Sequence, residues 1–134
     1  MKKSIINILL IYSILIISTL ISIAQLPSNV KSECDKYDKL IQEAISANNL
    51  SEAATLLSKC GYYLVSNNYK KEAISYYEQL LSINQQLGNK KGILNTYNTI
   101  GMLYFDIDEY EKCISNLQKA LQLMKLLGNS VEEQ

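Results

Sequence analysis

Three cysteines, Cys34, Cys60 and Cys113, and a run of acids at Asp106, Asp108, Glu109 and Glu111 are the side chains whose type and spacing could do chemistry. A thiolate can attack an electrophile or bind a soft metal, and paired carboxylates can serve acid–base catalysis or hold calcium. Neither set is completed. The chain has no histidine, which removes the usual base for a cysteine nucleophile and the usual second ligand of a zinc site, and no Cys-x-x-Cys occurs. The acidic run lacks the length and the glycine of a calcium loop. It suits a turn and a helix N-terminus, where the dipole favours negative charge. The cysteines read as buried free thiols. No catalytic residue, cofactor or metal is expected, and the chain reads as a non-enzyme.

Charge narrows the partners. Thirteen lysines balance thirteen acids, arginine and tryptophan are absent, and the net charge is zero. A nucleic-acid footprint needs a basic face, and none is written here. Protein or peptide partners remain. Hydrophobic residues make up 48% of the 134, enough for one core, while a single proline, Pro27, and five glycines argue for helices over a turn-rich β fold.

The first 24 residues read as an export signal. Met1-Lys2-Lys3 gives a positive start, an uncharged apolar run extends from Ile5 to Ile23, and Ser22-Ile23-Ala24 places small residues before a cut between Ala24 and Gln25. The competing reading is a retained membrane anchor, because a run of this length at about 1.5 Å per residue nearly crosses a hydrocarbon core of about 30 Å. Either way residues 25–134 are expected outside the cytoplasm, periplasmic or secreted if cleaved and held at the membrane if not. Residues 25–32 then read as a linker.

The rest repeats itself. Gly61 matches Gly101, Ile74-Ser75 matches Ile114-Ser115, Leu81 matches Leu121, and Leu87-Gly88-Asn89 matches Leu127-Gly128-Asn129, each pair 40 residues apart without a gap. Apolar spacing of three and four predicts helices near 33–47, 51–66, 69–87, 91–106 and 109–127. The last is expected to bury Tyr110, Ile114, Leu117, Ala120, Leu121 and Met124. Asn67-Asn68 marks one turn, Gly88 and Gly128 read as C-terminal caps, Asp108 with Glu111 as a capping box, and Ser32 with Asp35 as another. Glycine inside a helix costs about 1 kcal/mol against alanine, so Gly61 and Gly101 at one phase imply close helix crossings. The fold class expected is all-α, a short solenoid of antiparallel helix hairpins.

Tyr97, Ile100-Gly101, Tyr104, Tyr110, Cys113, Leu117 and Ala120 resemble the tetratricopeptide repeat, as do Leu57, Cys60-Gly61, Leu64, Tyr69, Ala73, Tyr77 and Leu80 in the preceding unit, with Tyr69 one place early. The resemblance covers about 33–129. It departs from the family in period, 40 against the usual 34 or so, and in the closing proline, replaced by Leu-Gly-Asn. Longer-period members of this look occur in bacterial sensor and regulator proteins. The resemblance implies a scaffold or adaptor that holds a protein or peptide in a groove lined by first helices. Here that implies Thr55, Ser58, Tyr62, Asn95, Asn98, Met102 and Phe105. The family's carboxylate clamp also uses arginine, which is missing, with Lys59 the one basic residue nearby. Asn49-Leu50-Ser51 matches a glycosylation sequon only as a short pattern.

Two and a half units fall short of the three or so a solenoid needs. Residues 130–134 read as the start of a helix that goes no further, so helix 109–127 is expected to expose apolar surface and to allow self-association. An alternative reading is the leading fragment of a longer sensor or signalling protein built on the same repeats.

Overall fold

The structure, a computed structural model, describes the backbone of residues 2–132 and the side chains of residues 10–21 and 23–128; Glu133 and Gln134 of the expected tail lie outside the described residues. Six helices follow one another: α1 (Lys2–Ile23), α2 (Ser28–Ser46), α3 (Leu50–Ser66), α4 (Lys70–Gln86), α5 (Lys90–Asp106) and α6 (Tyr110–Glu132). No strand occurs among the described residues. Successive helices from α2 onward pack on one another, while α1 packs on α4.

The regularity comes from the turns. Asn48, Asn68, Gly88 and Asp108, every twentieth residue, have φ near +60°. Asparagine, aspartate and glycine tolerate this left-handed conformation best. At each turn the next amide reaches back to a carbonyl five residues earlier: Asn49 N–H to Ala44 at 2.8 Å, Tyr69 to Leu64 at 2.8 Å, Asn89 to Asn84 at 2.9 Å and Glu109 to Tyr104 at 2.9 Å. That is the Schellman closure of a helix end. Asn49 and Asn89 then cap α3 and α5 through their side chains, accepting from Glu52 N–H and Gly92 N–H. Helices of 17 residues in α3, α4 and α5, separated by three-residue turns, account for the long repeat.

The core runs along α2, α3 and α4 and onto α5 through Val30, Ile41, Leu57, Leu64, Tyr76, Ile83 and Ile100. Both helical glycines lie at hairpin crossings. A Cβ on Gly61 would meet the Tyr77 ring at 2.8 Å, and one on Gly101 would meet Leu117 at 2.9 Å.

Several details differ from the sequence-based expectation. The linker 25–32 is largely helix, since α2 begins at Ser28. Pro27 has φ −54°, already suited to a helix start, and its carbonyl accepts from Lys31 N–H at 2.8 Å. Burial of Leu26 and Val30 holds the early turn down. Ser32 therefore lies inside α2 and caps nothing, and Asp35 pairs with Lys31 at 2.9 Å instead. Asp108 is not the N-cap of α6, because it takes the left-handed position one residue earlier. Gly128 does not end α6, which continues through residues 130–132 rather than starting a new helix there. Gly88 adopts φ +64° because α5 docks back on α4, whereas no described helix folds back after Gly128. Among the described side chains of α6 only Cys113 and Ala120 are buried; Tyr110, Ile114, Leu121 and Met124 are exposed and Leu117 is half-buried.

Candidate functional site

Helices α3 and α5 carry matching stripes. Thr55, Ser58 and Tyr62 recur as Asn95, Asn98 and Met102 one repeat later, and steps of three and four keep each stripe on one helical face. All seven residues singled out for the groove, these six and Phe105, are exposed. The fold brings six of them together in two adjoining depressions between α3 and α5. Tyr62, Asn98 and Met102 rim the first, with Val65, Tyr77 and Leu103 beneath. Thr55, Ser58 and Asn95 rim the second, beside Lys59 and Thr96. Phe105 lies apart, edge-on to Tyr110 with ring centroids 5.8 Å apart.

The chemistry of this face is amide, hydroxyl and apolar. The Asn95 and Asn98 side chains make no hydrogen bond within the described residues, so each has an amide donor and acceptor to offer. The Thr55 hydroxyl is used locally, donating to the Ser51 carbonyl at 3.0 Å. Tyr62 and Met102 present large apolar bodies to solvent.

What sequence reasoning missed is the joint beneath the second depression. Asn84, 4% exposed, donates to Thr96 Oγ1 at 3.3 Å and accepts from Asn89 Nδ2 at 3.2 Å. Thr96 in turn donates to the Gly92 carbonyl at 2.7 Å. A Cβ on Gly92 would stand 2.6 Å from both Asn84 Oδ1 and Asn89 Nδ2. The Leu87-Gly88-Asn89 motif marked this turn, but nothing in the local pattern showed that Asn84 would be the buried partner.

The groups first weighed for chemistry are otherwise occupied. Cys34, Cys60 and Cys113 are buried free thiols. Cys34 and Cys60 interact with each other beside Tyr76; the hydrogen bond that the Cys60 thiol donates to Cys34, then burial, holds that thiol well above its ordinary value. Tyr76 donates to Asp38 at 3.0 Å, tying α4 to α2, while burial holds the Asp38 carboxyl up and that hydrogen bond opposes it. Asp106 pairs with Lys70 at 2.9 Å, Asp108 accepts from the Tyr110 hydroxyl at 2.7 Å, and Glu109 pairs with Lys112 at 3.2 Å. Three of the four acids of the run are thus spent on turns and helix ends. The sequon asparagine, Asn49, is the α3 cap. Among the described residues no three histidine, cysteine or acidic side chains converge as metal ligands.

Two segments, residues 54–87 and 94–123, match the tetratricopeptide repeat. The first runs from α3 to the end of α4, and the second from α5 to residue 123, within α6. No curated protein and no solved structure gives a significant match.

Proposed function

We propose, for a chain that belongs to the tetratricopeptide repeat family, that the shared face of α3 and α5 holds an extended segment of a protein partner, making it a non-catalytic scaffold or adaptor. Repeats of this family mediate protein–protein interaction, and the finer assignment rests on one observation. Exposed Tyr62 and Met102 flank the unpaired amide of Asn98 across a single depression. An extended peptide offers a backbone N–H and C=O to such an amide, and its side chains cover the apolar flanks.

Placing a photo-crosslinking side chain at Met102 tests this. Partner capture at 102 that is lost on Tyr62→Ala with Asn98→Ala, and absent from the same probe at Gln122 on α6, is the expected result. Equal capture at both positions would exclude this face.

The N-terminal segment is taken as an export signal or anchor that puts the repeats outside the cytoplasm. The lysine pair before the apolar run supports this, as does the exposure of Ala24 and Gln25 in the turn between α1 and α2. Mass measurement of the chain recovered from cells tests it: a product starting at Gln25 supports a cleaved signal, an intact membrane-bound chain supports an anchor, and an intact chain in the cytoplasm contradicts both.

A further inference from the structure

The repeat allows a like-for-like reading of α4 against α6. Ile74, 5% exposed in α4, corresponds to Ile114, 56% exposed in α6; Asn84 at 4% corresponds to Met124 at 53%. In α4 this face is covered, largely by α5; in α6 it is bare among the described residues. Exposed Ile114, Leu121 and Met124, with half-buried Leu117 between them, form a seam. They step by three, four and three, a spacing that suits a two-helix coiled seam. Met124 also replaces the polar Asn84, so this end lacks the amide network that seats α5 on α4.

We propose that this seam pairs with the same seam of a second copy of the chain, the two α6 helices running antiparallel about a two-fold axis near Lys119. The occupant follows from self-complementarity. In that register Ile114 packs on the partner's Met124 and Leu117 on the partner's Leu121, with both layers repeated by symmetry. The residues flanking the seam on its solvent side are Glu111, Gln118 and Lys125. Antiparallel pairing sets Glu111 against the partner's Lys125, Gln118 against the partner's Gln118, and Lys125 against the partner's Glu111. Glu111 and Lys125 are both exposed, and neither forms an ion pair within the described residues. An isologous contact needs this self-matching of one patch. The peptide-binding stripe on α3 and α5 lies outside the seam, so pairing and peptide capture are independent.

Sedimentation of the full chain in a mild non-ionic detergent, with charge reversals, tests the pairing. The wild-type chain sediments as a dimer, Glu111→Lys and Lys125→Glu each weaken it about tenfold, and the double reversal, which restores both cross-pairs, returns to within about threefold of wild type. A single-cysteine probe avoids dependence on detergent: in a background with Cys34, Cys60 and Cys113 changed to alanine or serine, Gln118→Cys forms an intermolecular disulfide under mild oxidation and Gln122→Cys does not. A monomeric wild type with no Gln118→Cys cross-link overturns the proposal. So does a dimer indifferent to the single reversals, or one that the double reversal fails to rescue.

Discussion

The ring of Tyr77 lies over the backbone of Gly61, so close that a Cβ there would stand 2.8 Å from Tyr77 Cε2. One repeat on, Leu117 lies over Gly101 in the same way. The two crossings differ in how far the neighbour can give. Tyr77 is a rigid, buried ring, whereas Leu117 is a branched tip with one side open.

Gly61→Ala should therefore lose about 1–3 kcal/mol through overpacking, despite the helix propensity that alanine adds. Gly101→Ala should be near neutral, and Gly101→Leu should cost as much as Gly61→Ala or more. Asn98→Ala, on the exposed face, should stay within about 0.5 kcal/mol. Denaturant titration orders the four. Adding Tyr77→Leu to Gly61→Ala, which copies the second crossing, should recover part of the loss.

The Asn84–Asn89–Thr96 joint should be equally sensitive. Gly92→Ala drives a methyl into Asn84 and Asn89, leaving buried amide groups unpaired at about 1–3 kcal/mol. Asn84→Ala removes one side of that clash but leaves Thr96 and Asn89 without their partner. The double variant should cost less than the sum of the two singles. Strict additivity in a double-mutant cycle would show that the three side chains do not act as a unit.

Acid should stabilise the fold through two half-buried carboxyls. Burial raises Asp38 and Glu78 above the ordinary carboxylate range, with the Tyr76 and Tyr104 hydroxyls opposing it. Tyr104 itself is pushed up to about 12, by burial first and by Glu78 beside it. A raised folded value means the folded chain binds the proton more tightly than the unfolded one. Stability from these groups is complete below the ordinary value of about 4 and is lost as pH rises through the folded values. The thermal midpoint should climb as pH falls from 7 toward 5. Asp38→Asn with Glu78→Gln should flatten that slope and raise the midpoint at pH 7; an unchanged slope in the double variant would exclude these carboxyls as its source.

The contact between α1 and α4 gives a prediction about processing. Gln79, 4% exposed, donates to Thr19 at 2.7 Å across that contact. A chain beginning at Gln25 loses Thr19 and Ile23 and uncovers Gln79 on α4 and Ile41 on α2. Thr19→Val should destabilise the intact chain by about 1–3 kcal/mol, because it leaves the Gln79 amide buried and unpaired. In the shortened chain Gln79→Ala should be almost silent. A large loss there would mean that Gln79 has a second partner.

Helices α2 to α6, their hairpin order, the turns at Asn67-Asn68 and Gly88, and the crossings at Gly61 and Gly101 were all legible in the chain itself. Each is written in contacts three to four residues apart, in turn chemistry, or in a repeat that doubles every signal. Tertiary structure decided the rest. Ile74 and Ile114 are the same residue at the same repeat position, yet one is buried and the other bare. Gly88 and Gly128 share a motif, yet one turns the chain and the other is passed over by a continuing helix. Asn84 is polar and buried because Thr96 and Asn89 come to it, and the apolar N-terminal helix rests on α4 through Gln79, sixty residues away in sequence. Local periodicity decides which face a helix offers. Whether that face is covered depends on a neighbour brought from elsewhere in the chain or from another molecule, which no local pattern encodes.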